Sequence, residues 1–184
     1  MGPYTAEDYL ALPEGERVEL LRGRLMVMSP APTPRHQHVG TYLWKFFDSL
    51  AITHGGVAFV SPIDVVLLDR TIAQPDVAYL RAGREGLVGD RILGPPDLLV
   101  EVASPSTANR DRVEKLSLYA EAGVREYWIV NPKSHVMEFH VSDGPTYRIT
   151  AASEGGYQSP QYDEVQLDLT TFWQEVEQRL PPGA

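Results

Sequence analysis

Two acidic side chains stand where apolar ones would be expected. Asp76 follows Pro75 at the head of a short run ending at Leu80, and Glu101 lies inside Leu98-Leu99-Val100-Glu101-Val102, with aliphatics on both sides. Charged groups are rarely buried without a partner or a metal, so a buried Glu101 calls for a compensating cation. Paired carboxylates on neighbouring strands suit a hard divalent ion, Mg2+ or alternatively Mn2+, because such ions take oxygen ligands. The competing reading puts Glu101 on an exposed sheet face or beside an arginine. Further on, Asp111, Lys115 and Tyr119 are four residues apart and share one helical face. A loop after Ala103 could fold that helix back so that Lys115 reaches Glu101. A lysine there could stabilise charge developing on a phosphate or orient an attacking water. The plainer alternative is a surface Asp111–Lys115 pair of little energetic weight.

The elements that must position these residues can be read from periodicity and turn chemistry. Thr5 with Asp8 is the pattern of a capping box opening a short helix through about Leu12. Arg17–Leu21 and Arg24–Met28 flank Arg22-Gly23 as a hairpin, with Glu19 facing the same way as Arg17 and Leu21. Prolines 30, 32 and 34 make a rigid loop. A long helix over about Arg35–Thr53 follows, burying Val39, Tyr42, Leu43, Phe46, Phe47 and Leu50. Val57–Val60, Ile63–Leu68 and Pro75–Leu80 read as strands, and Arg81–Gly94 as an exposed segment without periodicity. In Asp97–Ala103 the side chains of Leu98, Val100 and Val102 point one way, and those of Leu99, Glu101 and Ala103 the other. A helix over about Ala108–Ala122 carries Val113, Leu116 and Ala120 as its apolar stripe, with Ser106 or Thr107 as cap. Glu126–Val130, Val136–Val141 and Tyr147–Ala151 read as strands, and Thr171 with Gln174 as the cap of a last helix bearing Phe172, Trp173 and Val176. The expected fold class is α/β, a mixed central sheet flanked by helices.

Composition bounds the chemistry. The chain has 184 residues, a size that suits one domain spanning 1–184, and its 43% hydrophobic and 22% charged residues are those of a globular protein. It contains no cysteine, which excludes zinc–thiolate sites, iron–sulfur clusters and cysteine nucleophiles. Its formal charge of −9 argues against a nonspecific nucleic-acid coat protein. No signal peptide or membrane span is visible, and a cytoplasmic location is expected. Gly83 and Gly86 lack the strand–glycine–helix context of a nucleotide cradle. His36 and His38 do not share a helical face and are not a zinc pair. His36 alone, at the head of the long helix, could contact a phosphate or shuttle a proton.

With those residues in view, Pro75-Asp76 and Glu101-Val102-Ala103 resemble the PD-(D/E)XK nuclease superfamily, in which an acid after proline is followed by a second acid and, two residues later, a lysine. More closely, the chain resembles a bacterial family described as putative restriction endonucleases. The similarity runs through Val18-Glu19-Leu20, Pro34-Arg35-His36-Gln37, Gln74-Pro75-Asp76, Glu101 to Ser106, Glu114-Lys115-Leu116, Tyr119 and Glu126-Tyr127-Trp128. It implies a restriction-endonuclease-like domain that hydrolyses DNA phosphodiester bonds with Mg2+. Asp76, Glu101 and Glu19 would hold the metal, while Lys115 would stand in for the lysine that Ala103 replaces. Lys115→Met is then expected to fold normally and to lose cleavage. Two related sites for two antiparallel strands make a homodimer an expectation as well. The rival reading is a catalytically inactive module of the same fold that binds nucleic acid or protein, favoured by the negative charge and by Ala103.

Overall fold

In the computed structural model the described residues are 2–13, 15–28, 31–104 and 109–180. The chain opens with α1 (Ala6–Leu10), started by the Thr5–Asp8 capping box. Strands β1 (Val18–Leu21) and β2 (Arg24–Val27) pair antiparallel around Arg22 and Gly23. Both turn residues have positive φ, 50° and 77°, which is the twist a two-residue hairpin loop needs. Helix α2 (Pro34–His54) begins with proline in its first turn, and the Thr33 hydroxyl accepts from the His36 amide at 3.2 Å.

Strands β3 (Gly56–Val60), β4 (Val65–Leu68), β5 (Thr71–Ala73) and β6 (Val77–Arg81) follow, then β7 (Ile92–Leu93) and β8 (Leu98–Val102). A π-helical turn over Arg110–Lys115 runs directly into α3 (Leu116–Ala122). The chain then forms β9 (Glu126–Asn131), β10 (Val136–Asp143), β11 (Thr146–Thr150), β12 (Gly156–Gln158), β13 (Gln166–Asp168) and α4 (Leu169–Arg179).

The central sheet is mixed, in the order β11-β10-β9-β8-β6-β3, with β8 and β9 parallel and the other pairs antiparallel. A second sheet runs β2-β1-β5-β4-β7, and β12 pairs with β13. Both faces of the central sheet are covered. Val39, Leu43 and Phe47 of α2 and Phe172 and Val176 of α4 pack on Val77, Leu98, Val100, Val102 and Trp128. Leu118 and Tyr119 of α3, with Leu21, Val65 and Ile92 of the second sheet, pack on Ala78, Leu99, Ala103, Tyr127 and Ile129. The alternation read for β8 is therefore real, and its two halves enter two different cores. The expected α/β architecture, a mixed sheet flanked by helices, is the one present.

Several local expectations differ from the structure. In β1, Val18, Glu19, Leu20 and Leu21 are all buried, so the shared facing of Glu19 and Leu21 does not separate a wet side from a dry one. Val113 is not part of an apolar stripe: the π turn rotates it outward to 62% exposure. Segment Arg81–Gly94 is not wholly exposed, since Ile92 is buried and pairs parallel with Val65. The cap of α4 is Asp168, whose side chain accepts from the Thr171 amide, rather than Thr171 itself. The cap expected at Ser106 or Thr107 lies outside the described residues. Among the described residues no helix is long and apolar enough to cross a membrane.

Candidate functional site

Asp76 is held at the end of a strand by its own carboxylate. The pairing of β6 with β8 ends at Val77 opposite Val100, and Pro75 carries no N–H to continue it. The Val102 amide on that side is satisfied instead by Asp76 Oδ2, at 2.7 Å. Its neighbour Ala103 donates the other way, to the Val130 carbonyl of β9. The side chain thus finishes the ladder and is anchored beside the end of β8.

Glu101 lies one residue before Val102 on the opposite face and is 5% exposed. Its Oε1 accepts from Lys115 Nζ at 2.7 Å and from the Tyr119 hydroxyl at 2.9 Å. Lys115, itself 3% exposed, also meets Glu19 Oε1 at 2.8 Å. The same Glu19 oxygen accepts from the Gln74 amide at 2.9 Å, and its Oε2 faces Arg110 at 3.6 Å. Acids from β1 and β8 therefore meet on the one ammonium that the π turn supplies, and the β5–β6 link fixes the first of them. Burial works against the charged form of Lys115, but attraction by Glu101 and Glu19 outweighs it and holds its pKa well above the ordinary lysine value. Burial pushes Glu101 upward, with Lys115 pulling the other way.

His36, in the first turn of α2, places Nε2 3.4 Å from Asp76 Oδ2. Burial lowers its basicity, yet hydrogen bonds to Asp76 and to the Val102 backbone and the nearby Asp111 carboxylate raise its pKa above the ordinary histidine value. The two acids are therefore countered separately, Asp76 by His36 and Glu101 by Lys115, instead of facing each other bare. Among the described residues, no group of three or more His, Asp or Glu side chains is placed to hold a metal ion. Glu19 joins the cluster, but its carboxylate is turned onto Lys115, Arg110 and the Gln74 amide.

Asp76 Oδ1 and Glu101 Oε2 accept no hydrogen bond from a described residue. Asp76 and Glu101 border one cavity of about 960 Å3 that is also lined by Glu19, His36, Asp111 and Lys115. Two hard carboxylate oxygens of this kind suit Mg2+ or Mn2+. Arg17, Arg35, Arg110 and Lys133 line the same cavity, so its border carries cations as well as acids.

Sequence reasoning overlooked Arg110, gave Gln74 no role of its own, and missed the burial of Asp111, which is 2% exposed and lines the cavity. The four-residue spacing of Asp111 from Lys115 was the available signal. Nothing in the local pattern reveals that a backbone amide at Gln74 orients Glu19.

A mixed sheet covered by helices, with an acid after proline at one strand end and a second acid on the adjacent strand, defines a restriction-endonuclease-like protein. The Uma2 family model, described as "Putative restriction endonuclease", matches residues 6–175, and the chain belongs to that family within the PD-(D/E)XK-like superfamily. A solved structure described as a putative nuclease belonging to DUF820 from Anabaena variabilis is similar in fold. Its TM-score is 0.80 at 17% identity, over 95% of this chain and 99% of that one. No curated protein matches the chain.

Proposed function

We propose that this chain, acting as one nuclease-like domain, is a Mg2+-dependent endonuclease that hydrolyses DNA phosphodiester bonds, with Mn2+ able to replace Mg2+. The observation that carries the reading is the convergence of Asp76, Glu101 and a doubly anchored Lys115 on one cavity, the two carboxylates each keeping an oxygen for which no described residue competes. Asp76 and Glu101 would hold the ion. When bound, it supplies positive charge to a phosphate and acidifies water.

The chain's own residues do the rest. An ammonium has three donors, and Glu101 and Glu19 take two from Lys115, leaving one for a phosphate oxygen or an attacking water. Glu19 acts by holding Lys115 in place, with Arg110 and the Gln74 amide fixing Glu19. Tyr119 fixes the Glu101 carboxylate from the other side. His36 Nε2, charged over a wider pH range than a free histidine, is the proton donor nearest Asp76.

Calorimetric titration with Mg2+ and Mn2+, paired with cleavage of supercoiled plasmid DNA, tests the reading. Wild type is expected to bind and nick, and the Asp76→Ala, Glu101→Ala double variant to do neither. Equal ion binding by the two proteins would place the ion elsewhere. The closed Glu101–Lys115–Glu19 cluster also favours the second reading, an inactive nuclease-like module that binds nucleic acid or protein. That reading is supported if DNA binds with no cleavage in either ion.

A further inference from the structure

The hairpin between β9 and β10 borders the same cavity and carries a feature that the proposed chemistry does not use. Asn131 and Val136 close it as a pair, and Asn131 Oδ1 accepts from the amides of Lys133 at 3.0 Å and Ser134 at 3.1 Å. The last loop residue, His135, has φ of 55°. That left-handed conformation, which glycine takes most readily, turns the chain from the loop into β10. One face of the imidazole stacks on Trp173 of α4, with ring centroids 4.7 Å apart and planes 16° apart. Nε2 meets Glu177 Oε1 at 2.9 Å, and Glu177 also pairs with Arg35, the residue before His36. The ring is thus fixed in plane by three elements, yet it remains 44% exposed and lines the cavity.

We propose that His135, backed by Trp173, is a stacking platform for one unpaired base, and that the substrate is single-stranded or locally splayed DNA. This rests on the DNA-acting reading and specifies its substrate class. A base inside a duplex has both faces covered by its neighbours, whereas an unpaired base offers a face to an aromatic ring. The ring is already ordered by Trp173 and Glu177, so stacking requires little further ordering of the protein.

The test uses the full chain in EDTA, where binding is read without cleavage. Fluorescence anisotropy compares labelled oligothymidylate with an abasic oligomer of equal length and charge. Wild type is expected to prefer the base-bearing strand by about 5- to 150-fold, the range found for one stacked base. His135→Gly, which suits the left-handed backbone, is expected to bring that ratio towards one, and His135→Phe to keep most of it. A role confined to holding α4 would change stability and leave the ratio alone. A wild-type ratio near one, or the same ratio in His135→Gly, overturns the inference while leaving DNA binding intact. Absence of binding to both oligomers overturns it together with the DNA-acting reading, so the two failures are distinguishable.

Discussion

Lys115→Met keeps the length of the side chain and removes only the ammonium. Sequence reasoning expects the variant to fold as wild type, with the flexible stem carrying the charge to a partner. The charge does reach partners, but in the interior, which changes the expectation for the variant: Lys115 is 3% exposed and lies 2.7 Å from Glu101 and 2.8 Å from Glu19, themselves 5% and 1% exposed. Deleting one partner of a buried ion pair costs about 3–5 kcal/mol, because the remaining charge is left in a poor solvent. A domain of this size has about 5–15 kcal/mol in total, so the variant should fold but melt about 6–20 °C lower at pH 7. The pH dependence follows from the shifted pKa values. Lys115 is raised, so its stabilisation is complete below the ordinary lysine pKa and is lost only as pH rises through its folded value. At neutral pH wild type has all of it. In the variant the acids can lose their charge only by protonation, and Glu101 is already raised by burial. The deficit should therefore shrink as pH falls from 7 towards 5. Calorimetric melts across that range, with a Lys115→Met, Glu19→Gln, Glu101→Gln variant beside them, check the argument. A loss under about 2 °C at pH 7, or no recovery in acid and in the triple variant, would show that the cluster is hydrated. Cleavage by the variant must be read below its own melting range, or instability will pass for lost chemistry.

Two further outcomes follow from other parts of the fold. Glu126 is fully buried and accepts from Trp128 Nε1 and the Tyr157 hydroxyl, each at 2.7 Å, and from Ser159, which ties β9 to the C-terminal hairpin. Glu126→Ala should cost on the order of 3 kcal/mol in chemical denaturation, because buried donors lose their acceptor. Burial, opposed by those three hydrogen bonds, raises the Glu126 pKa, so wild type loses stability as pH rises from the unfolded carboxylate range through the folded value. Glu126→Gln should therefore gain on wild type between pH 4 and pH 7, and a flat difference would remove burial as the cause. Thr33→Ala should cost about 1 kcal/mol by removing the acceptor of the His36 amide, and a loss near zero would mean that Pro34 alone starts α2.

The parts of this molecule legible in its sequence are those where one physical constraint acts alone. The run Leu98–Val102 shows a two-fold alternation because both faces of β8 meet apolar layers, and the single acid in it stands out against them. The long α2 announces itself through periodic apolar positions from Val39 to Leu50, between a proline and a glycine. Strands β5, β12 and β13 have three residues each, too few for alternation to separate from chance, and were not anticipated. Glu19 was legible as a candidate only through family resemblance. Its strand is buried on both sides, so alternation gives no hint of where the carboxylate points.

The lysine shows most clearly how local pattern and tertiary geometry divide the work. At Ala103 a methyl, 7% exposed, sits in the core with Leu118 and Tyr119, on the same strand face as Glu101. A long side chain there would have to displace that packing. The ammonium instead arrives from the following helix, through a π turn that puts Asp111 and Lys115 inside and Val113 outside. Such wide turns often mark functional sites, since they re-aim side chains that a regular helix would place elsewhere. A shared helical face, with a loop after Ala103 to fold the helix back, led sequence reasoning to bring Lys115 towards Glu101. It could not predict that the lysine would be sealed between two acids, because the second acid comes from β1, almost a hundred residues earlier in the chain, and is oriented by the amide of Gln74. Transferring the lysine from strand to helix therefore changes its dependence. A strand lysine is positioned by the strand that carries its acid, whereas Lys115 is positioned by Glu19 and Glu101 together, so the acids hold the lysine and its loss is felt by the fold as well as by the chemistry.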